Sequence, residues 1–214
     1  MEKKFELTEK YVVNELGTKL YQIKCTKTFE YAKKGELGGY IEREVNLSQE
    51  GNAWVFGDAQ VSGDARVSGN AWVSGDAQVS GDARVSGDAW VYGDAWVSGD
   101  ARVFGYARVY GDAQVSGYAR VSGDAQVSGN ACLKSDADHC GFDCFGSSNR
   151  HTHAYLTSDN TVEITCGYFR GSIEEFEKKV KNTHAGTVYE NQYNAIINVI
   201  KIKFGSAQRQ NRQV

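Results

Sequence analysis

Apolar positions in the middle of the chain follow a period of six. From Ala53 to Ala131, Ala recurs at every sixth residue, fourteen times without a slip, and Val or Leu follows two residues later, from Val55 to Leu133. Gly usually precedes each Ala by two, with Asp or Asn between, so the unit reads Gly-Asp-Ala-x-Val-Ser. This period fits neither an α-helical stripe nor a heptad. Residues two apart face the same way on an extended strand, so Ala and Val share one face and the residue between them takes the other. Gly marks a corner, where its backbone freedom is needed, and Asp or Asn bonds to the corner backbone. Each unit is therefore one short side plus a corner, and three sides close a triangular coil of eighteen residues. A low-complexity linker gives no reason for Ala and Val to hold strict register.

The variable slot sorts at the eighteen-residue spacing, which the six-residue unit does not impose. One column holds Trp54, Trp72, Trp90, Arg108 and Gln126; a second holds Gln60, Gln78, Trp96, Gln114 and Cys132; a third holds Arg66, Arg84, Arg102 and Arg120. Phe56, Tyr92 and Tyr110 share a column beside the first tryptophans. Outward Trp and Tyr in line read either as an interaction face or as stacking that holds adjacent coils in register. The Arg column reads as an ion-pair ladder neutralised by Asp64, Asp82 and Asp100, with an anion-binding strip as the alternative.

Both ends of such a coil need covers. Residues 1–46 form the expected N-terminal β cap, with strands from Phe5 to Val13 and Lys19 to Thr28 around an Asn14–Gly17 turn. Ile41 and Val45 already show the apolar spacing of the repeat, and 47–51 break its register by two residues before the coils of 47–138. Residues 139–205 predict a small ββαα domain. Its strands run His151 to Thr157 and Val162 to Arg170. Ser172-Ile-Glu-Glu175 is a capping box opening one helix, and Tyr193, Ile196, Ile197 and Ile200 share a face of a second. The polar segment 206–214 reads as a disordered tail. The fold class is mainly β: a triangular solenoid with an N-terminal β cap and a small C-terminal α+β domain.

The repeat resembles the hexapeptide-repeat left-handed parallel β-helix, as in Val67-Ser-Gly-Asn-Ala71 and Val79-Ser-Gly-Asp-Ala83. Leu37-Gly-Gly-Tyr-Ile-Glu, Asn46-Leu-Ser, Cys166-Gly-x-Phe169-x-Gly171-Ser-Ile-Glu-Glu-Phe176 and Thr183-His184 are similar to a group of phage- and prophage-encoded hexapeptide-repeat proteins. That resemblance implies a setting, a virus inside a bacterium, more than a chemistry.

Composition narrows the classes. A net charge of −3 argues against a binder that works by bulk positive charge. No apolar run spans a membrane, and the start lacks a signal-peptide core. Five cysteines without framework spacing fit a reducing cytoplasm.

Three chemistries are weighed. An acyltransferase of the similar-looking class needs a catalytic His, yet the regular coils contain none; all four, His139, His151, His153 and His184, follow them. A zinc site is a weak candidate from His139, Cys140, Cys144, His151 and His153, which match no tight Cys-x2-Cys pair. An anion or ligand site is the third, with Arg150, His184 and Tyr189 converging if the last helix folds back. No cofactor fingerprint is found. The expectation is a non-enzymatic binding protein that masks a host protein or nucleic-acid site in a bacterial defence. Sequestration of a small nucleotide and acyl transfer are the alternatives. Self-association as a dimer or trimer is expected from the flat faces.

Overall fold

A computed structural model describes residues 2–205; the tail expected over 206–214 lies outside the described residues. Strands β1 (Phe5–Val13), β2 (Lys19–Cys25) and β3 (Leu37–Ile41) lead into fourteen two-residue strands, from β4 (Trp54–Val55) to β17 (Cys132–Leu133), one in every hexamer. They form a parallel solenoid of three faces. Residues eighteen apart pair in register: Trp54 with Trp72, Trp72 with Trp90, Arg66 with Arg84, Gln60 with Gln78. The period-six reading and its stacked columns hold throughout the coils.

The packing follows from the unit. Ala and Val fill the interior, all but fully buried, from Ala53 to Leu133. Burying each Val side chain contributes roughly 1.5–3 kcal/mol, and the parallel ladders satisfy the backbone between coils, as in Trp72 N–H to Ala89 O at 2.9 Å. At the corners the glycines take positive φ, for example 68° at Gly87. A Cβ on Gly69 would sit 2.9 Å from Gly87 N, so both backbone angle and coil stacking demand glycine there. Along one corner a polar ladder runs from Glu30 through Asn52 and Asn70 to Asp88, with steps of 2.7, 3.2 and 3.1 Å.

At the N-terminal end β1, β2 and β3 are antiparallel, and β3 then pairs in parallel with Gln60–Val61. The cap is thus continuous with one solenoid face. Ile41 pairs with Val61 and Leu47 with Val67, both twenty residues apart, before the spacing settles to eighteen at Trp54. The two-residue break is real. Val45 does not join the repeat, because a short 3-10 turn over Glu44–Asn46 leaves it 61% exposed while Leu47 turns inward.

The C-terminal part is a four-stranded antiparallel sheet, β18 (His139–Phe145), β19 (Arg150–Leu156), β20 (Val162–Cys166) and β21 (Phe169–Ser172), followed by helices α1 (Ile173–His184) and α2 (Val188–Gly205). The ββαα expectation misses two strands. The apolar alternation of β18 is short, Cys140, Phe142 and Cys144, and is broken by a bulge where Cys144 takes φ 62°; Gly167, at φ 60°, splits the expected Val162-to-Arg170 strand into a hairpin. The capping box forms as read: Ser172 Oγ accepts from Glu175 N–H at 3.2 Å, and Ser172 N–H donates to Glu175 Oε2 at 2.8 Å. One side of this sheet packs under α1 and α2 through Ala154, Ile164 and Cys166; on the other, Tyr155 joins the solenoid core.

Candidate functional site

The Trp column forms, but it is not one exposed face. Trp54 is fully buried under the cap, edge-on to Phe29 at 5.4 Å and Phe5 at 6.3 Å. Trp72 is covered by Tyr31 at 5.3 Å and stacks on Phe56 at 3.8 Å. The expected outward position of Trp54 is therefore corrected: the cap lays its aromatic side chains over the upper half of the column. What remains open is Trp90, with Arg108 over its ring at 5.2 Å, and the Tyr92–Tyr110 stack at 4.9 Å. Trp96 stands on another face between Gln78 and Gln114.

The Arg column also forms, with Arg66, Arg84, Arg102 and Arg120 exposed and stacked in register. The ion-pair ladder does not. Among the described residues no guanidinium of this column forms an ion pair; Asp64 pairs with Arg43 at 3.1 Å instead, and Asp136 accepts only the backbone N–H of Arg120, at 2.8 Å. A corner Asp two residues before its Arg stands off the flat side from which the Arg projects.

The five candidate zinc ligands are separated by the alternation of β18 and β19. His139 and His153 face the solenoid, with His139 Nδ1 and His153 Nε2 at 3.0 Å. His153 Nδ1–H donates to Gln126 O at 3.3 Å, so Nε2 is the acceptor for His139. His151 lies beside them and holds Asp143 Oδ1 at 2.5 Å. Cys140 packs toward the helices and Cys144 is exposed. No group of three or more ligands converges among the described residues. Burial lowers the His153 pKa to about 3 and also holds His139 below the usual imidazole value, so both rings are neutral at pH 7.

Arg150 and His184 do come together, on a cavity of about 560 Å³ between the C-terminal sheet and helices. The Gly146–Asn149 turn, with Asn149 at φ 48°, delivers Ser147, Ser148 and Arg150. The Gly167 hairpin delivers Tyr168, Phe169 and Arg170. The capped α1 brings Phe176, Lys179, Thr183 and His184 in at helical spacing, and the return of α2 stacks Tyr193 on His184 at 5.4 Å. Tyr189 does not line the cavity; it packs edge-on to His184 at 5.9 Å. Burial pushes the Tyr193 hydroxyl up to about 12, so it remains a neutral donor. Arg170 is spent on Glu163, at 2.6 and 3.2 Å. Arg150 and Lys179 have no ion-pair partner among the described residues. Tyr193, Phe169 and Lys179 escaped the sequence reading. Tyr193 looks like one more residue of the α2 core face, and only the Lys179/Thr183 spacing beside Phe176 and Val180 hints at a lined groove.

No helix among the described residues is long and apolar enough to cross a membrane. The family model of the YdcK β-solenoid repeat matches residues 59–75, 77–93, 95–111 and 113–129. Each match opens on the Ala of a successive coil. An uncharacterized acetyltransferase, YdcK of Escherichia coli (strain K12), is 36% identical over 80 residues, which is 31% of this chain and 24% of that protein. The chain thus spans about a quarter of this relative. The repeat matches stop before the cavity. They and the eighteen-residue ladder make this a repeat-built β-solenoid protein whose coils are similar to the YdcK repeat.

Proposed function

We propose that the chain is a non-enzymatic binding protein whose C-terminal cavity takes a small, ring-bearing phosphorylated ligand of the nucleotide class. The observation that carries this reading is an unpaired Arg150 beside the rings of Tyr168, Phe169 and Tyr193 in one cavity of about 560 Å³. A guanidinium suits a phosphate and aromatic rings suit a base, and the volume lies within the range of small-ligand pockets. The setting in this proposal is a phage or prophage gene acting inside the bacterial host, with a nucleotide signal withdrawn from a defence. Ligand withdrawal is preferred to masking a host protein through the solenoid, because the cap already covers Trp54 and Trp72. Thermal melts with AMP, GMP, CMP and UMP test the reading. A rise in melting temperature, lost in Arg150→Ala, is expected; no rise with any of them overturns it.

Acyl transfer is the second reading, favoured by the name of the Escherichia coli relative. His184 is then the candidate base, since it lines the cavity whereas His139 Nε2 is buried without a hydrogen-bond partner. Turnover of acetyl-CoA that disappears in His184→Ala would favour this reading over the first.

A further inference from the structure

A second cleft, of about 460 Å³, adjoins the cavity, and Arg150 and Tyr168 line both. Its remaining walls come from two parts of the chain: Arg108, Asp124 and Gln126 from the last solenoid coils, and, from the C-terminal domain, Asn149 in the turn before β19 together with His151, Thr165 and Gly167. The two compartments differ in chemistry. The cavity is aromatic and cationic. The cleft carries amides, a carboxylate, the His151 ring and, besides the shared Arg150, the Arg108 guanidinium.

Amides and a carboxylate match the donors and acceptors on the edge of a base or the hydroxyls of a ribose, whereas Asp124 turns a bare phosphate away from that wall. Gln126 uses its backbone oxygen to hold His153 and Thr165, at 3.3 and 3.2 Å, and its side-chain amide has no partner among the described residues. Arg108 is held over the Trp90 ring and makes no ion pair there. Arg150 is positioned at the junction. A Cβ on Gly167 would stand 2.5 Å from its Nη1, so the guanidinium lies against a backbone that only glycine leaves open. The one cation common to both compartments therefore sits where a group joining two nucleosides would pass.

We infer that the ligand is a linear dinucleotide: one nucleotide lies in the cavity, the bridging phosphate meets Arg150, and the second nucleoside enters the cleft against Gln126, Asn149 and Arg108. This rests on the nucleotide reading of the cavity and extends it to the solenoid, whose last coils then supply half of the site.

Calorimetric titration of the full chain with AMP, GMP, CMP and UMP, and with pApA, pGpG, pCpC and pUpU, tests it. For at least one base the dinucleotide binds about tenfold or more tightly than its mononucleotide, as joining two subsites requires. Arg108→Ala removes that gain and leaves mononucleotide affinity within about twofold, since Arg108 touches only the second compartment. Arg150→Ala weakens both. Far-UV circular dichroism of each variant confirms that the solenoid is intact, and Arg108 is exposed enough to be truncated without disturbing the core. Mononucleotide binding with no dinucleotide gain, or a gain that survives Arg108→Ala, overturns the inference and leaves the cavity reading in place. Binding of neither class overturns both.

Discussion

At the N-terminal end of the solenoid Lys4 donates to Gly51 O and Ala53 O, at 3.2 and 2.9 Å. At the C-terminal end the neutral His153 ring and the Thr165 hydroxyl donate to Gln126 O. Both ends face the same problem: a parallel ladder that stops leaves backbone carbonyls without partners. One end answers with a buried ammonium beneath an aromatic lid, Phe5 and Phe29 over Trp54. The other answers with uncharged donors, backed by Tyr155, whose hydroxyl meets Ser128 Oγ at 3.2 Å and Glu163 Oε1 at 2.5 Å. A cap must supply hydrogen-bond donors and exclude water. Whether it does so with or without charge decides how stability responds to pH.

The comparison breaks most visibly at the aromatic lid. Trp54→Ala empties a fully buried site and is expected to cost about 3–5 kcal/mol, read from the denaturant midpoint. The polar end is sharpened by acid. The folded-state pKa of His153 is about 3 against 6.5 unfolded, so the unfolded chain binds more protons between these values. Its contribution is complete above about pH 6.5 and is lost as pH falls toward 3, by roughly 4–5 kcal/mol. His153→Leu should flatten that part of the stability profile, while Thr165 still holds Gln126 O.

The charged end behaves differently. Lys4→Met leaves Gly51 O and Ala53 O unpaired and is expected to cost about 1–3 kcal/mol at pH 7. Burial lowers the Lys4 pKa to about 8 from 10.5, so the folded state releases its proton first. The stability difference between wild type and Lys4→Met should be flat below pH 8 and rise from there to pH 10.5. A flat difference across that window would show that Lys4 is not buried as a cation. The smallest effect is expected at Trp90→Ser, in the same column as Trp54 but 42% exposed: under about 1 kcal/mol in the same denaturation assay.

The period of six made the coils legible because every unit repeats the same local demand: Gly for positive φ, Ala and Val for a narrow interior. Val45 shows the limit. Its spacing from Ile41 looks regular, but a 3-10 turn displaces it and Leu47 takes the inward place. In the C-terminal domain the capping box at Ser172 was readable because it is local, and β18 was not, because its alternation over Cys140, Phe142 and Cys144 is short and ends in a bulge before Phe145. Arg150 and His184 were read as convergent and line one cavity; Tyr189 was placed with them, yet Tyr193, one helical turn on, reaches the cavity. That choice depends on how α2 rotates against α1.

From the amino-acid order alone came the number of residues per coil, the columns, and the helix that begins at Ser172, since each depends on near neighbours or on strict repetition. The tertiary structure alone decided that the cap hides Trp54 and half-covers Trp72, that the His and Cys candidates part to different surroundings, and that solenoid and C-terminal residues wall one cleft. Those outcomes join segments far apart in the chain, and burial of apolar surface, which brings such segments together, has no preferred direction in sequence.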